Sequence, residues 1–105
     1  MITTALMIDG YKITESLGLV RGITVRSRSI FGNIAGGLQS LIGGNISIYE
    51  ELCEKTRTDA FNKMVEHAEQ MGANGVISMR YDANEVMNGI TEVLAYGTAV
   101  RFEKI

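Results

Sequence analysis

The sequence predicts a single α+β domain over residues 1–105, a mainly antiparallel sheet in the order β-β-α-α-β-β covered on one face by one long and one short helix. Three observations predict it. Residues 2–8, 11–26, 75–82 and 92–103 alternate apolar and polar side chains with the period of two that strands require. Residues 30–42 and 47–71 instead repeat their apolar residues at helical spacing. A chain of 105 residues fits one domain and buries roughly two-thirds of the surface its unfolded form exposes.

Each element has a local reason. Residues 11–26 place Leu17, Leu19, Ile23 and Val25 on one face and Gly18, Val20, Gly22, Thr24 and Arg26 on the other. Ahead of them, Asp9-Gly10 reads as a hairpin turn from the first strand. In 30–42, Ile30, Ile34, Leu38, Leu41 and Ile42 recur at helical spacing before the stop Gly43-Gly44. Ser47 caps the long helix, Glu50 completes a capping box, and Gly72 ends it. Residues 75–82 set Ile77, Met79 and Tyr81 opposite Ser78, Arg80 and Asp82. Residues 92–103 alternate through Leu94, Tyr96, Val100 and Phe102, with a polar loop at 83–91 joining the two strands. A sheet covered by a helix on one face still needs a partner for its other face or its edges, which a second copy of the chain would supply.

Composition narrows the function classes. With 46% hydrophobic and 21% charged residues, the chain is apolar for its size, which predicts burial between subunits. Ten basic residues against 12 acidic ones, net charge −2, form no basic run, so nucleic acid is excluded as a partner. Cys53 is the only cysteine, so no intramolecular disulfide forms, and no secretory leader is read at residues 1–10. A cytoplasmic location is expected. No charge stands between residues 29 and 49, but that stretch holds Gly32, Gly36, Gly37, Gly43 and Gly44 with Asn33, Gln39 and Asn45, too polar to insert in a bilayer.

Few residues offer site chemistry. Cys53 and His67 are the candidate metal ligands, yet they stand 14 residues apart on one predicted helix, about 21 Å along its axis. They could share an ion only through copies gathered at a symmetry axis. On a helical wheel Cys53 joins Ala60, Met64, Ala68 and Met71 on the apolar arc and His67 sits at its margin, which predicts a core thiol and a boundary imidazole. The six methionines read as core filler. Arg57 falls near the middle of that arc, with Glu50 two turns earlier on nearly the same line. A charge there needs a partner, expected across a subunit contact or on a ligand, so Arg57→Met should keep the fold and alter assembly.

Gly32 and Gly36 give the short helix a smooth face for close approach at an interface or around a ligand. Leu38 follows Gly32-x-x-x-x-Gly37, so there is no P-loop, and no G-x-G-x-x-G follows a strand. Arg21, Arg26 and Arg28 cluster at one strand end, but alternation sends Arg21 and Arg26 to opposite faces. The carboxylates of Glu50-Glu51 and of Asp82 with Glu85 have no histidine, serine or lysine at a catalytic spacing, so no catalytic residue is assigned.

Four short motifs stand in order along the chain: Gly18-Leu19-Val20-Arg21-Gly22, Ile42-Gly43-Gly44, Gly72-Ala73-Asn74-Gly75-Val76-Ile77 and Ala95-Tyr96-Gly97-Thr98-Ala99-Val100. Together they resemble the YbjQ-like family, named for heavy-metal binding, from about residue 10 to the end. The resemblance implies a homo-oligomer, a pentameric ring, and a metal ion as possible ligand. No cofactor is read from the residues themselves. The expectation is an oligomeric binding or scaffolding domain for a metal or small ligand. The alternatives are a small enzyme with a site between subunits, which converging Arg21, Arg57 or Arg80 would mark, and a purely structural assembly protein.

Overall fold

The computed structural model describes residues 1–27 and 46–105. Among them three strands and one helix follow in the order β1 (Tyr11–Ser27), α1 (Ile46–Gln70), β2 (Gly75–Met87) and β3 (Ile90–Lys104). The α+β class expected from the sequence is the one the chain adopts. β3 is central, with β1 and β2 both antiparallel to it. The predicted short helix at 30–42, with Gly32, Gly36 and the stop Gly43-Gly44, lies outside the described residues.

Residues 2–8 do not form the first strand of a hairpin. The turn itself exists, with Gly10 at φ +81° and the Tyr11 N–H donating to the Ile8 carbonyl at 3.1 Å. The chain before it runs instead along the outer edge of β2. The amides of Val76, Met79 and Ser78 donate to the carbonyls of Met1, Thr3 and Ala5, and Thr3 N–H donates back to Val76, all at 2.9–3.0 Å. Only Ile2 and Val76 form a bridge, and it is parallel. The cause is a bulge in β2. The register slips between Ile77 and Arg80, Ser78 takes φ +55°, and both bulge amides are given to the N-terminal segment.

The same bulge changes the phase of β2. Ile77 lies opposite Thr98 and Tyr81 opposite Ala95, so these two side chains stand on opposite faces rather than sharing one. The hairpin beyond is longer and tighter than predicted. The strands continue through 83–87 and reverse at Asn88-Gly89, with Gly89 at φ +79°. Asp82, Asn84 and Glu85 are poor strand formers, which made this stretch read as a loop. The Asn-Gly pair is the stronger signal, and it fixes the turn.

α1 stops where predicted. Gly72 takes φ +81°, its N–H donates to Glu69 and the Ala73 N–H to Ala68, both at 3.0 Å, the two bonds of a Schellman cap. Thr56, Ala60, Met64 and Ala68, four residues apart, form the buried stripe of the helix against Val20, Val76, Met79, Ala95 and Ala99. The helix backbone rests directly on β1. A Cβ at Gly22 would land on the Ala60 carbonyl oxygen and the Met64 amide nitrogen, and 2.8 Å from Lys63 Cβ.

The rows of the sheet that face the helix are therefore small. Gly18 lies opposite Ala99, Val20 opposite Gly97 and Gly22 opposite Ala95. The bulkier apolar side chains go to the other face, where Leu19 is 61% exposed, Val25 51% and Ile23 38%, beside half-buried Leu94 and Tyr96.

Candidate functional site

His67 is a structural residue of the helix–strand contact. Its Nδ1 accepts the Arg21 N–H at 3.2 Å, and one turn earlier Lys63 Nζ donates to the Ile23 carbonyl at 2.9 Å. Side chains four apart on α1 thus meet backbone groups two apart on the outer edge of β1. A neutral ring whose Nδ1 accepts carries its proton on Nε2, so neither nitrogen offers a lone pair to a metal in this geometry.

Cys53 is exposed, not the core thiol expected. The buried stripe begins only at Thr56, and Cys53, one turn before it, borders an open cleft. Met71, at the other end of the predicted arc, is exposed as well. Among the described residues no three of His, Cys, Asp and Glu gather into a possible metal site. Cys53 and His67 do not fit one metal ion within a chain. Glu50 is exposed near the start of α1.

Arg57 carries the other geometry of interest. Its guanidinium lies 5.6 Å from the centroid of the Tyr81 ring, a cation–π contact within the chain. Below it a cleft opens between the first half of α1 and the β2–β3 hairpin. One part, about 130 Å³, is lined by Arg57, Tyr81, Asp82, Ala83 and Val93. The adjoining part, about 150 Å³, is lined by Cys53, Thr56, Arg57, Ala83, Thr91 and Val93. The carboxylate of Asp82 accepts the Ala83 N–H at 2.9 Å and the Asn84 side-chain amide at 3.1 Å. On β1 opposite Val93, the Thr24 hydroxyl is buried, 1% exposed, and without a hydrogen-bond partner among the described residues. Sequence reasoning missed Tyr81 and Val93 as wall residues, because the bulge that turns Tyr81 toward the helix leaves no mark in the alternation.

Within one chain Arg21, Arg57 and Arg80, whose convergence between subunits would mark the enzyme alternative, do not stand together. Register puts Arg21 opposite Tyr96 and Arg80 opposite Tyr96, on the face turned away from α1, whereas Arg57 stands on the helix side. Arg80 donates to the carbonyls of Thr4 and Met79 at 2.8 Å, and Arg26 pairs with Asp59 at 2.9 Å. On the uncovered face the next two rows are Ile23–Leu94–Asp82 and Val25–Glu92–Asn84. An apolar centre is flanked by charge. Among the described residues no helix is long and apolar enough to cross a membrane.

Comparison with known proteins places this arrangement in context. A family model described as "putative heavy-metal-binding" matches residues 1–103. A UPF0145 protein of Solibacter usitatus is 62% identical over 99 residues, covering 94% of this chain and 88% of that protein. One of Chromobacterium violaceum is 59% identical over 105 residues, covering 100% and 90%. A crystal structure of a protein of unknown function in the DUF74 family, from Pediococcus pentosaceus, superimposes with a TM-score of 0.62 at 18% identity, covering 98% of this chain and 97% of that one. At that identity it shows the fold alone.

Proposed function

This chain belongs to the YbjQ family, and from that premise we propose that it is a non-catalytic domain that assembles with copies of itself through the sheet face turned away from α1. One observation carries the reading. Leu19, Ile23, Val25, Leu94 and Tyr96 of β1 and β3 lie on the face turned away from α1, which no other described element covers, while Gly18, Val20, Gly22, Ala95 and Gly97 meet the helix. Leu19, Ile23 and Val25 are 61%, 38% and 51% exposed, so covering them would gain about half of the roughly 1.5–3 kcal/mol that full burial of such a side chain is worth. Arg21 and Glu92 flank this apolar centre as the polar rim of an interface does.

In a ring, one surface of each copy meets a different surface of the next, and five copies is the number the resemblance implies. A reducing, cytoplasmic setting suits an exposed lone Cys53 thiol. A metal would enter this reading only at an axis where copies of one ligand meet.

Native mass spectrometry of the untagged protein tests the assembly. The expected result is a multiple of the 11.5 kDa chain, near five, with Ile23→Arg collapsing it to the monomer. A wild-type monomer at micromolar concentration would overturn the proposal. Zinc, copper and nickel added to the same sample, and to Cys53→Ala, report whether a metal binds the assembly.

A further inference from the structure

The cleft between α1 and the β2–β3 hairpin treats its cation differently from the way Arg26 and Arg80 are held. Arg26 gives its charge to Asp59 at 2.9 Å, and Arg80 spends its donors on the carbonyls of Thr4 and Met79. Arg57 does neither. Among the described residues no carboxylate stands within ion-pair distance of it, and Asp82, which lines the outer part of the cleft with it, accepts the Ala83 N–H and the Asn84 side-chain amide instead. What holds Arg57 is the face of Tyr81. A ring face steadies a guanidinium without neutralising it, and it leaves the N–H edge free for a planar, two-pronged acceptor.

The remaining walls are of another kind. Ala83 and Val93 line both parts of the cleft, and Thr56 and Thr91 close the inner one. A cavity of about 150 Å³ takes a molecule on the scale of benzene. The sign of the charge then decides the ligand class. Asp82 offsets the guanidinium in the outer part, but among the described residues Arg57 is the one charge in the lining of the inner part, so there a divalent cation is repelled in spite of the Cys53 thiol at the border, and an anion is attracted.

We propose that this cleft binds a small organic anion, a carboxylate on a short apolar body, with Arg57 gripping the carboxylate and Val93 and Ala83 seating the body. This goes beyond the assembly reading and does not depend on it. The cleft lies on the helix side of the sheet, and the proposed subunit contact on the other.

Benzoate is the probe and benzamide its neutral counterpart of nearly the same shape. In ¹H–¹⁵N TROSY spectra of the full chain, benzoate should move the amides of Cys53, Ala83 and Val93 saturably. It should also slow alkylation of Cys53, the single cysteine, by the uncharged reagent N-ethylmaleimide. Benzamide should bind at least about tenfold more weakly, and Arg57→Met should lose benzoate by a similar factor, the scale of one charge-assisted hydrogen bond. Val93→Phe, which fills the cleft and keeps Arg57, should abolish both readouts and serves if Arg57→Met does not fold. Equal binding of benzoate and benzamide would overturn the proposal. So would undiminished binding by either variant, or no saturable shift up to about 10 mM. Mass measured on the same samples separates this result from the assembly: a monomer that binds benzoate fails only the assembly reading.

Discussion

At the scale of the residue, the fold turns on positions where size matters more than polarity. Gly22 is the sharpest. Its missing side chain lets the backbone of α1 lie on β1 at Ala60 and Met64, and backbone cannot swing aside as a side chain can. Gly22→Ala should therefore cost about 3 kcal/mol, the upper end for an overpacked core. Thermal unfolding should fall by roughly 12 °C or more for a chain of this length, and an unchanged midpoint would show that the helix is not seated there. Thr24 makes the opposite case. Its buried hydroxyl has no partner among the described residues, so Thr24→Val removes an unmet polar group at nearly constant volume. The variant should be more stable by about 1 kcal/mol in a denaturant titration. Neither position was legible in the sequence. A glycine or threonine in an alternating strand carries no sign of what will be laid across it.

At the scale of the element, much more was legible. The period of two gave β1, the start of β2 and β3, and Gly72 gave the helix stop, because these depend on neighbours in sequence. The errors came where partners are distant. Residues 2–8 have strand-like alternation, but the amides that receive them are those of the β2 bulge, more than seventy residues on. The 83–91 stretch was misread for a local reason, since polar composition was weighed above Asn88-Gly89. For the candidate site, the sequence singled out Arg57 as a charge near the middle of an apolar arc, whereas Arg57 is exposed beside the buried stripe of Thr56, Ala60, Met64 and Ala68, and the ring it lies over was missed. His67 was read as a boundary imidazole, which its place between helix and strand agrees with, although its acceptor role toward Arg21 came only with the structure. His67→Ala should lower stability by about 1 kcal/mol, the worth of one such bond. Zinc uptake measured on the same variant should match the wild type, and a loss of uptake would make the imidazole a ligand after all.

At the scale of the whole molecule, the sheet is longer than the helix that covers it. The 17 residues of β1 span about 55 Å at strand rise, and the 25 residues of α1 about 37 Å. The helix covers one face of this strip, and incompletely. Ile23 lies on the other face, turned away from α1, which is why Ile23→Arg is expected to act on mass rather than on the melting of a single chain. That placement also keeps the two proposals physically apart, one on each side of the strip.

The two occupied edges of the sheet have a consequence for how such a molecule behaves when crowded. An open strand edge is a template on which further chains can stack without limit, the seed of a fibre. Here the bulge amides of β2 are held by residues 1–5, and Arg21 and Ile23 on β1 are held by His67 and Lys63. At these points next to the core, the edge groups an incoming strand would pair with are already engaged. Particles that join by their faces into a closed ring stop at a finite number, so in the proposed assembly the exposed aliphatic surface would be hidden rather than extended into a fibre.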